Sequence, residues 1–380
     1  MFDLSSPDPH ALFHRMREQA PVHRQGRGFW YLTRYDDVQR ALLDPDVGRQ
    51  LDRLPPELAA RHRHGDPLAM VRRNVFNLDP PDHTRLRRLL APAFGPRTVA
   101  VLDRRIHEVV GELVGGLSGE ADGIADLALP LPLLIVADLL GFPAADGARL
   151  RAWSDAMLRS GNPARVRASG MEFLAYVEER LKEPGDGLLA RLVKAEDISH
   201  HEVVSSAFQL LFAGDETTVN LIGNAVLELL RHPGQLRRLR ERPELIDSAV
   251  EEVIRFNGPV GHSRPLYALA DVRFGATVVP RGDVVVPVLL AANRDPAVFP
   301  SPDVFDIARS PNRHLGFGHG IHFCLGAALA RLQARAAVGA LVRRFPGLSL
   351  AVDPGELEWT PDLFLHGVRS LPLRLGGARS

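Results

Sequence analysis

The longest helical pattern in the chain runs from Ser199 to His232. Ser199-His200-His201-Glu202 reads as a capping box at its start, and Pro233-Gly234 stops its far end. About 33 residues at a rise of ~1.5 Å span roughly 50 Å. Val203 to Ala213 is largely apolar on all faces, so the middle of this helix should cross the core rather than lie on the surface. Inside it stands Ala213-Gly214-Asp215-Glu216-Thr217-Thr218. A glycine costs about 1 kcal/mol in a helix interior, and a buried acid costs more unless satisfied. A local violation of that kind in mid-helix marks a candidate functional site.

Helical patterns recur over 10–19, 35–43, 97–118, 130–140, 144–158, about 170–183, 249–256 and from about 325 to 344. Phe29 to Thr33 is aromatic and β-branched and predicts a strand, and short strand signals broken by proline and glycine fill 258–288. The stretch 44–78 is irregular, with Pro45, Pro55, Pro56 and Pro67 and the basic cluster Arg61-His62-Arg63-His64. Irregular stretches of that length inside a compact domain tend to be functional or mobile. Ser154 to Gly170 reads as a polar loop carrying Gly161, Pro163, Arg159, Arg165 and Arg167. Asp79-Pro80-Pro81-Asp82 opens a further helix in which His83 and Arg87, four apart, share a face. The pattern is mainly α with small β-sheets.

Composition narrows the function classes. Lysine plus arginine equals aspartate plus glutamate at 46 each, which argues against nucleic acid as a partner. The 45% hydrophobic content suffices for a large core. MFDLSSPDPH lacks a basic region followed by an apolar run, so neither a signal peptide nor a membrane anchor is expected. The most apolar stretch, Ile124 to Phe142, is interrupted by Asp126, Pro130, Pro132 and Asp138, which argues against a spanning helix. A single cysteine suits a reducing compartment, and a cytoplasmic location is expected.

That cysteine, Cys324, stands in Phe317 to Gly326, FGHGIHFCLG. Gly316, Gly318 and Gly320 are expected to supply positive φ and close backbone approach. The small-residue run from Leu325 starts a helix, so the helix N-terminus and loop amides are expected to stabilise a thiolate at Cys324. Other readings stand beside this one. A buried apolar thiol is the bland one. A dinucleotide fingerprint lacks the preceding strand and the spacing. A zinc site built from His314, His319, His322 and Cys324 lacks a second ligand pair.

FGHGIHFCLG resembles the haem-binding signature of cytochrome P450, F-x-x-G-x-[HR]-x-C-x-G, at every fixed position. AGDETT over 213–218 is similar to the family's oxygen-activation motif, Glu252-x-x-Arg255 to its E-x-x-R pair, and DPPDHTRLRR to its H-x-x-x-R segment. The resemblance implies one P450 domain over 1–380, with haem b between the long helix and the cysteine helix. Cys324 would be the iron's axial ligand. His83, Arg87, Arg264 and His322 would hold the propionates, and Phe317, Gly318, Gly326, Ala213 and Gly214 would contact the cofactor. Thr217 would hydrogen-bond dioxygen, the co-substrate, or its water, and Glu216 would relay protons. Glu252, Arg255 and Arg309 would be structural. Val75, Phe76, Phe212, Leu363 and Phe364 would line a substrate pocket, and 155–170 would form its lid.

The implied reaction is monooxygenation, hydroxylation or epoxidation, of a small organic substrate resembling a secondary metabolite. The basic residues at 61–64 and 159–167 hint at an anionic substrate. Electrons would come from NAD(P)H through a separate ferredoxin and ferredoxin reductase, docking near Arg85, Arg88, Arg331 and Arg335. Oxidative coupling or ring closure on the same haem, and a non-catalytic haem-thiolate sensor, are the alternatives.

Overall fold

The computed structural model describes residues 9–62, 71, 73–158, 162–360 and 363–378. Residues 1–8, Arg63, His64 and Arg159, each used in the sequence reading, lie outside the described residues. The N-terminal part holds helices α1 (Pro9–Gln19), α2 (Tyr35–Leu43) and the short α3 (Pro56–Ala59). A helical middle follows: α4 (Asp82–Leu90), α5 (Pro96–Gly116), α6 (Pro130–Leu140), α7 (Gly147–Leu158), α8 (Pro163–Lys182) and α9 (Leu188–Val193). Then come α10 (His200–Arg231), α11 (Pro233–Glu241), α12 (Ile246–Asn257), the short α13 (Leu289–Ala292) and α14 (Ala327–Arg344).

The strands are β1 (Val22–Gln25), β2 (Phe29–Leu32), β3 (Val47–Gly48), β4 (Glu120–Asp122), β5 (Leu266–Ala268), β6 (Val272–Phe274), β7 (Thr277–Val279), β8 (Val284–Pro287), β9 (Ser349–Leu350) and β10 (Pro372–Arg374). They form a five-stranded sheet ordered β1-β2-β8-β5-β3, a three-stranded sheet ordered β4-β10-β9, and a β6-β7 hairpin. Strands β2 and β8 pair in parallel, with Phe29 opposite Val284, and their partners run antiparallel.

Helix α10 begins as its sequence requires: Ser199 Oγ accepts from the Glu202 amide while the Glu202 carboxylate accepts from the Ser199 amide. It then runs unbroken through 213–218, where the glycine has a packing reason. A Cβ at Gly214 would lie 2.9 Å from Val136 Cγ2 of α6, and one at Gly223 would lie 2.5 Å from Ile124 Cδ1. Gly214 therefore turns its bare face to α6. Phe208 and Phe212 face α8, where their rings meet Phe173 at 5.9 and 5.3 Å. Asp215 faces α7 and accepts from Ser154 Oγ. Helices α6, α7 and α8 thus occupy three sides of α10.

The polar loop expected over 154–170 is mostly helix. Helix α7 continues to Leu158 and α8 starts at Pro163, because Asn162 Oδ1 accepts from the amides of Ala164 and Arg165 and Pro163 suits the first turn. Arg165 and Arg167 are exposed on α8. The Gly123–Leu140 stretch is long and apolar enough to cross a membrane by length and composition, yet 67% of it is buried inside the fold. Its first part, Gly123–Ala128, is a π-helical turn absent from the sequence reading.

Candidate functional site

The Cys324 loop folds back on itself through the Cys324 amide, which donates to Phe317 O at 2.9 Å. Gly318 and Gly320 have φ of +74° and +71°, a region that side chains other than glycine rarely enter. Gly316 does not share that conformation. It is glycine because a Cβ there would lie 2.3 Å from Ile254 Cγ2 of α12. Arg331 of α14 lays its guanidinium over the Phe317 ring at 4.3 Å. Gly326 caps α14, and a Cβ on it would come no closer than 3.8 Å, to the Phe94 ring.

The expected thiolate stabilisation needs correction. Cys324 is half-buried, and α14 begins only at Ala327. Burial pushes the thiol pKa up, and the Gly326 amide, Arg87 and Arg331 pull against it without reversing it. The protein alone thus favours the thiol. A bound metal cation would supply the charge that removes the proton.

Beside this loop lies a cluster of imidazoles and guanidiniums. His83 of α4 is 1% exposed, and neither ring nitrogen has a hydrogen-bond partner. The His322 ring sits 4.2 Å from it, with Nε2 likewise unpartnered, while its other contact is the Val75 backbone. Burial, then Arg87 and Arg49, takes His83 down to about 4; burial, then Arg49, His83 and Arg87, takes His322 to about 2. Both rings are neutral at pH 7.

Arg87 Nη2 donates to Phe323 O at 2.8 Å, next to the cysteine. Arg49 donates from Nη1 to Phe76 O at 3.0 Å, keeps Nε unpartnered, and feels the like charge of Arg264. Sequence reasoning missed Arg49, which lies in the irregular 44–78 stretch with no periodicity to mark it. Buried donors without acceptors, crowded with positive charge, call for an anion. The carboxylates of a porphyrin meet that need, so the residues present fit haem.

Across α10, Ala213, Gly214 and Thr217 are half-buried while most of the helix is buried, and Thr217 Oγ1 donates to Ala213 O at 2.8 Å. Glu216 is 5% exposed. Of the residues expected to line a substrate pocket, Val75 and half-buried Phe76 belong to the anion cluster through their backbones. Phe364 places its ring 5.5 Å from His262, and Leu363 packs against the α1 and α13 core. Phe212 packs its ring against Phe173 at 5.3 Å and Phe208 at 4.6 Å.

Behind the loop, Glu252 and Arg255 are both 0% exposed. Glu252 accepts from Arg255 at 2.7 and 2.8 Å, from Arg309 at 3.0 and 3.1 Å, from Asn312 and from the Asp306 amide. The zinc alternative finds no support: among the described residues no group of three or more His, Cys, Asp or Glu side chains is arranged to hold a metal ion.

The profile of the family described as "Cytochrome P450" matches residues 172–366. The chain is 41% identical to "Cytochrome P450 107B1" of Saccharopolyspora erythraea, over 98% of this chain and 96% of that one. It belongs to the cytochrome P450 family. This P450 is also 40% identical to "Cytochrome P450 monooxygenase PikC" of Streptomyces venezuelae, over 97% of this chain and 91% of the relative. Among solved structures, the P450 PksS of the Bacillus subtilis bacillaene polyketide synthase matches with a TM-score of 0.91 at 36% identity, covering 99% of this chain and 100% of the other. The chain is thus a soluble bacterial-type P450 monooxygenase, with haem b as prosthetic group and dioxygen as co-substrate. It binds a small-molecule substrate and draws its electrons from a redox partner.

Proposed function

We propose that this P450 acts as one domain in the cytoplasm and hydroxylates or epoxidises a polyketide-like secondary metabolite. Electrons would reach it from NAD(P)H through a separate ferredoxin and ferredoxin reductase. The observation that carries the reading is the pairing of the Cys324 loop with the cluster of His83, His322 and Arg49, in which His83 Nδ1 and Nε2, His322 Nε2 and Arg49 Nε have no partner. The substrate class is supported by relatives named "Mycinamicin IV hydroxylase/epoxidase", from Micromonospora griseorubida, and "Polyketide biosynthesis cytochrome P450 PksS".

When bound, haem supplies a thiolate-ligated iron that activates dioxygen. The chain's own residues do the rest. Cys324 would ligate the iron through its sulfur, and His83, Arg87, Arg264 and His322, joined by Arg49, would hold the propionates. Phe317, Gly318, Gly326 and Ala213 would border the cofactor, whereas Gly214 serves the α6 contact. Thr217 holds a proton at Oγ1, donated to the Ala213 carbonyl, and would be the hydroxyl donor on this face of α10. Glu216, buried on the same helix, relays protons toward Thr217.

The test is an absorption spectrum of haem-supplied ferric protein, followed by reduction under carbon monoxide. The expected result is a Soret band with the red-shifted thiolate signature, which Cys324→Ser removes. A folded protein that takes up no haem would overturn the reading.

A further inference from the structure

Two buried side chains on α10 take no part in the chemistry above. Gln209 is 7% exposed, and neither its amide oxygen nor its amide nitrogen has a hydrogen-bond partner. Ser206 is 0% exposed, and its hydroxyl is equally without one. Natural proteins rarely leave a buried carboxamide unpaired on both ends, and such a group deserves a ligand as its explanation.

Helical geometry sets where these groups point. At 3.6 residues per turn, Gln209, Ala213 and Thr217 stack on one stripe, with Ser206 beside Gln209. The other sides of α10 are taken: Gly214 meets α6, Asp215 meets Ser154 of α7, and Phe208 and Phe212 meet Phe173 of α8. The remaining stripe is where mid-helix positions regain exposure, at Ala213 and Thr217. Gln209 therefore stands on the same stripe, one turn from Ala213 and about two turns from Thr217.

We propose that Gln209 is the polar anchor of the substrate, with Ser206 as its second contact, and that it selects a neutral oxygen-bearing molecule. Nε2 donates to a carbonyl or lactone oxygen, and Oε1 accepts from a hydroxyl. A carboxamide carries no charge, so it gives a carboxylate no counter-ion. The arginines that hinted at an anionic substrate, Arg61, Arg165 and Arg167, are exposed on the surface. Eight residues of helix put Gln209 roughly 12 Å along the axis from Thr217. The oxidised carbon then lies on the order of 10 Å from the anchored oxygen, a remote position on a medium-sized molecule.

The inference rests on the monooxygenase reading, and its test separates the two. Haem-loaded wild type is titrated optically with a large-ring lactone, dodecanolide, and with a hydrocarbon ring of similar size, cyclododecane. The expected result is a preference for the lactone of about tenfold or more. Gln209→Leu and Gln209→Met should erase that preference by weakening the lactone alone. Both variants should unfold at a temperature no lower than wild type, since they remove an unpaired amide. A haem-loaded wild type without the preference, or one that binds neither ring, overturns the anchor and leaves the enzyme class intact. Variants that weaken both rings equally, or that lose stability, also overturn it by making Gln209 structural. Absence of a Soret band in wild type would instead strike the monooxygenase reading itself.

Discussion

The Glu252 carboxylate, at 0% exposure, accepts from two guanidiniums, a carboxamide and a backbone amide. Arg255 spends its remaining donors on the carbonyls of Asn293, Pro302 and Val304. Removing the shared acceptor strands buried charge, so Glu252→Ala should cost about 3–5 kcal/mol in urea unfolding. Glu252→Gln keeps the shape but loses the charge and should fall between. Wild-type stability in the alanine variant would make the network ornamental. His83 poses the opposite case. Its unpartnered ring burdens the haem-free protein, so His83→Leu should leave the apoprotein at least as stable in thermal unfolding. Haem retention should weaken by about tenfold in transfer to a haem scavenger, the scale of one lost hydrogen bond to a charged group. An apoprotein clearly destabilised by His83→Leu would show that the ring serves packing rather than the cofactor.

Helix α10 joins the N-terminal half of the site to the rest through Glu202, whose carboxylate accepts from Arg85 Nη2 at 2.6 Å and from Ser199. Burial pushes this acid up, but the hydrogen bonds from Arg85 and Ser199 together outweigh it and hold it at about 2. A depressed carboxyl pKa adds stability that is complete above the unfolded value and is lost as pH falls toward the folded one. The window is therefore from about 4.5 down to about 2. Glu202→Gln should cost on the order of 2 kcal/mol at pH 7 and nearly nothing at pH 2, read as converging urea midpoints. A constant gap across that range would remove the linkage.

At mid-helix, Gly214→Ala should gain about 1 kcal/mol of propensity yet lose more against Val136, for a net loss of about 1 kcal/mol. In a Val136→Ala background the same change should become stabilising. These features were unequally legible. The capping box, Pro233-Gly234 and the all-apolar run marked α10 almost to the residue, since local chemistry sets helix ends. The purpose of Gly214 was not legible, because it depends on α6 crossing at that point. The start of α8 was written in Asn162-Pro163, but the surrounding glycine and arginines read more strongly as loop.

At the scale of the whole molecule, the cysteine signature was legible because ten contiguous residues carry it, whereas the anion cluster is assembled from α4, the 44–78 stretch, the 264 region and the cysteine loop. The same limit governs the surface that meets the redox partner. Arg85, Arg88, Arg331 and Arg335 suggested a basic docking patch, but each is already paired, with Glu202, Asp197, Glu251 and Asp247. Arg85 and Arg88 moreover lean toward the start of α10 rather than the cysteine loop. What the loop does expose is apolar: Ile321 at 49%, Phe323 at 40% and, touching the Gly320 turn, Leu43 at 54%. A partner that docks here gains more from covering that patch than from arginines whose charge is cancelled at home. Ile321→Glu should therefore slow ferredoxin-driven reduction, trapped with carbon monoxide, by about tenfold, while dithionite reduction is unchanged. Arg88→Glu should alter the rate by less than about twofold, at low and at high salt alike. The reverse order, with Arg88→Glu crippling and Ile321→Glu silent, would return the docking face to the start of α10.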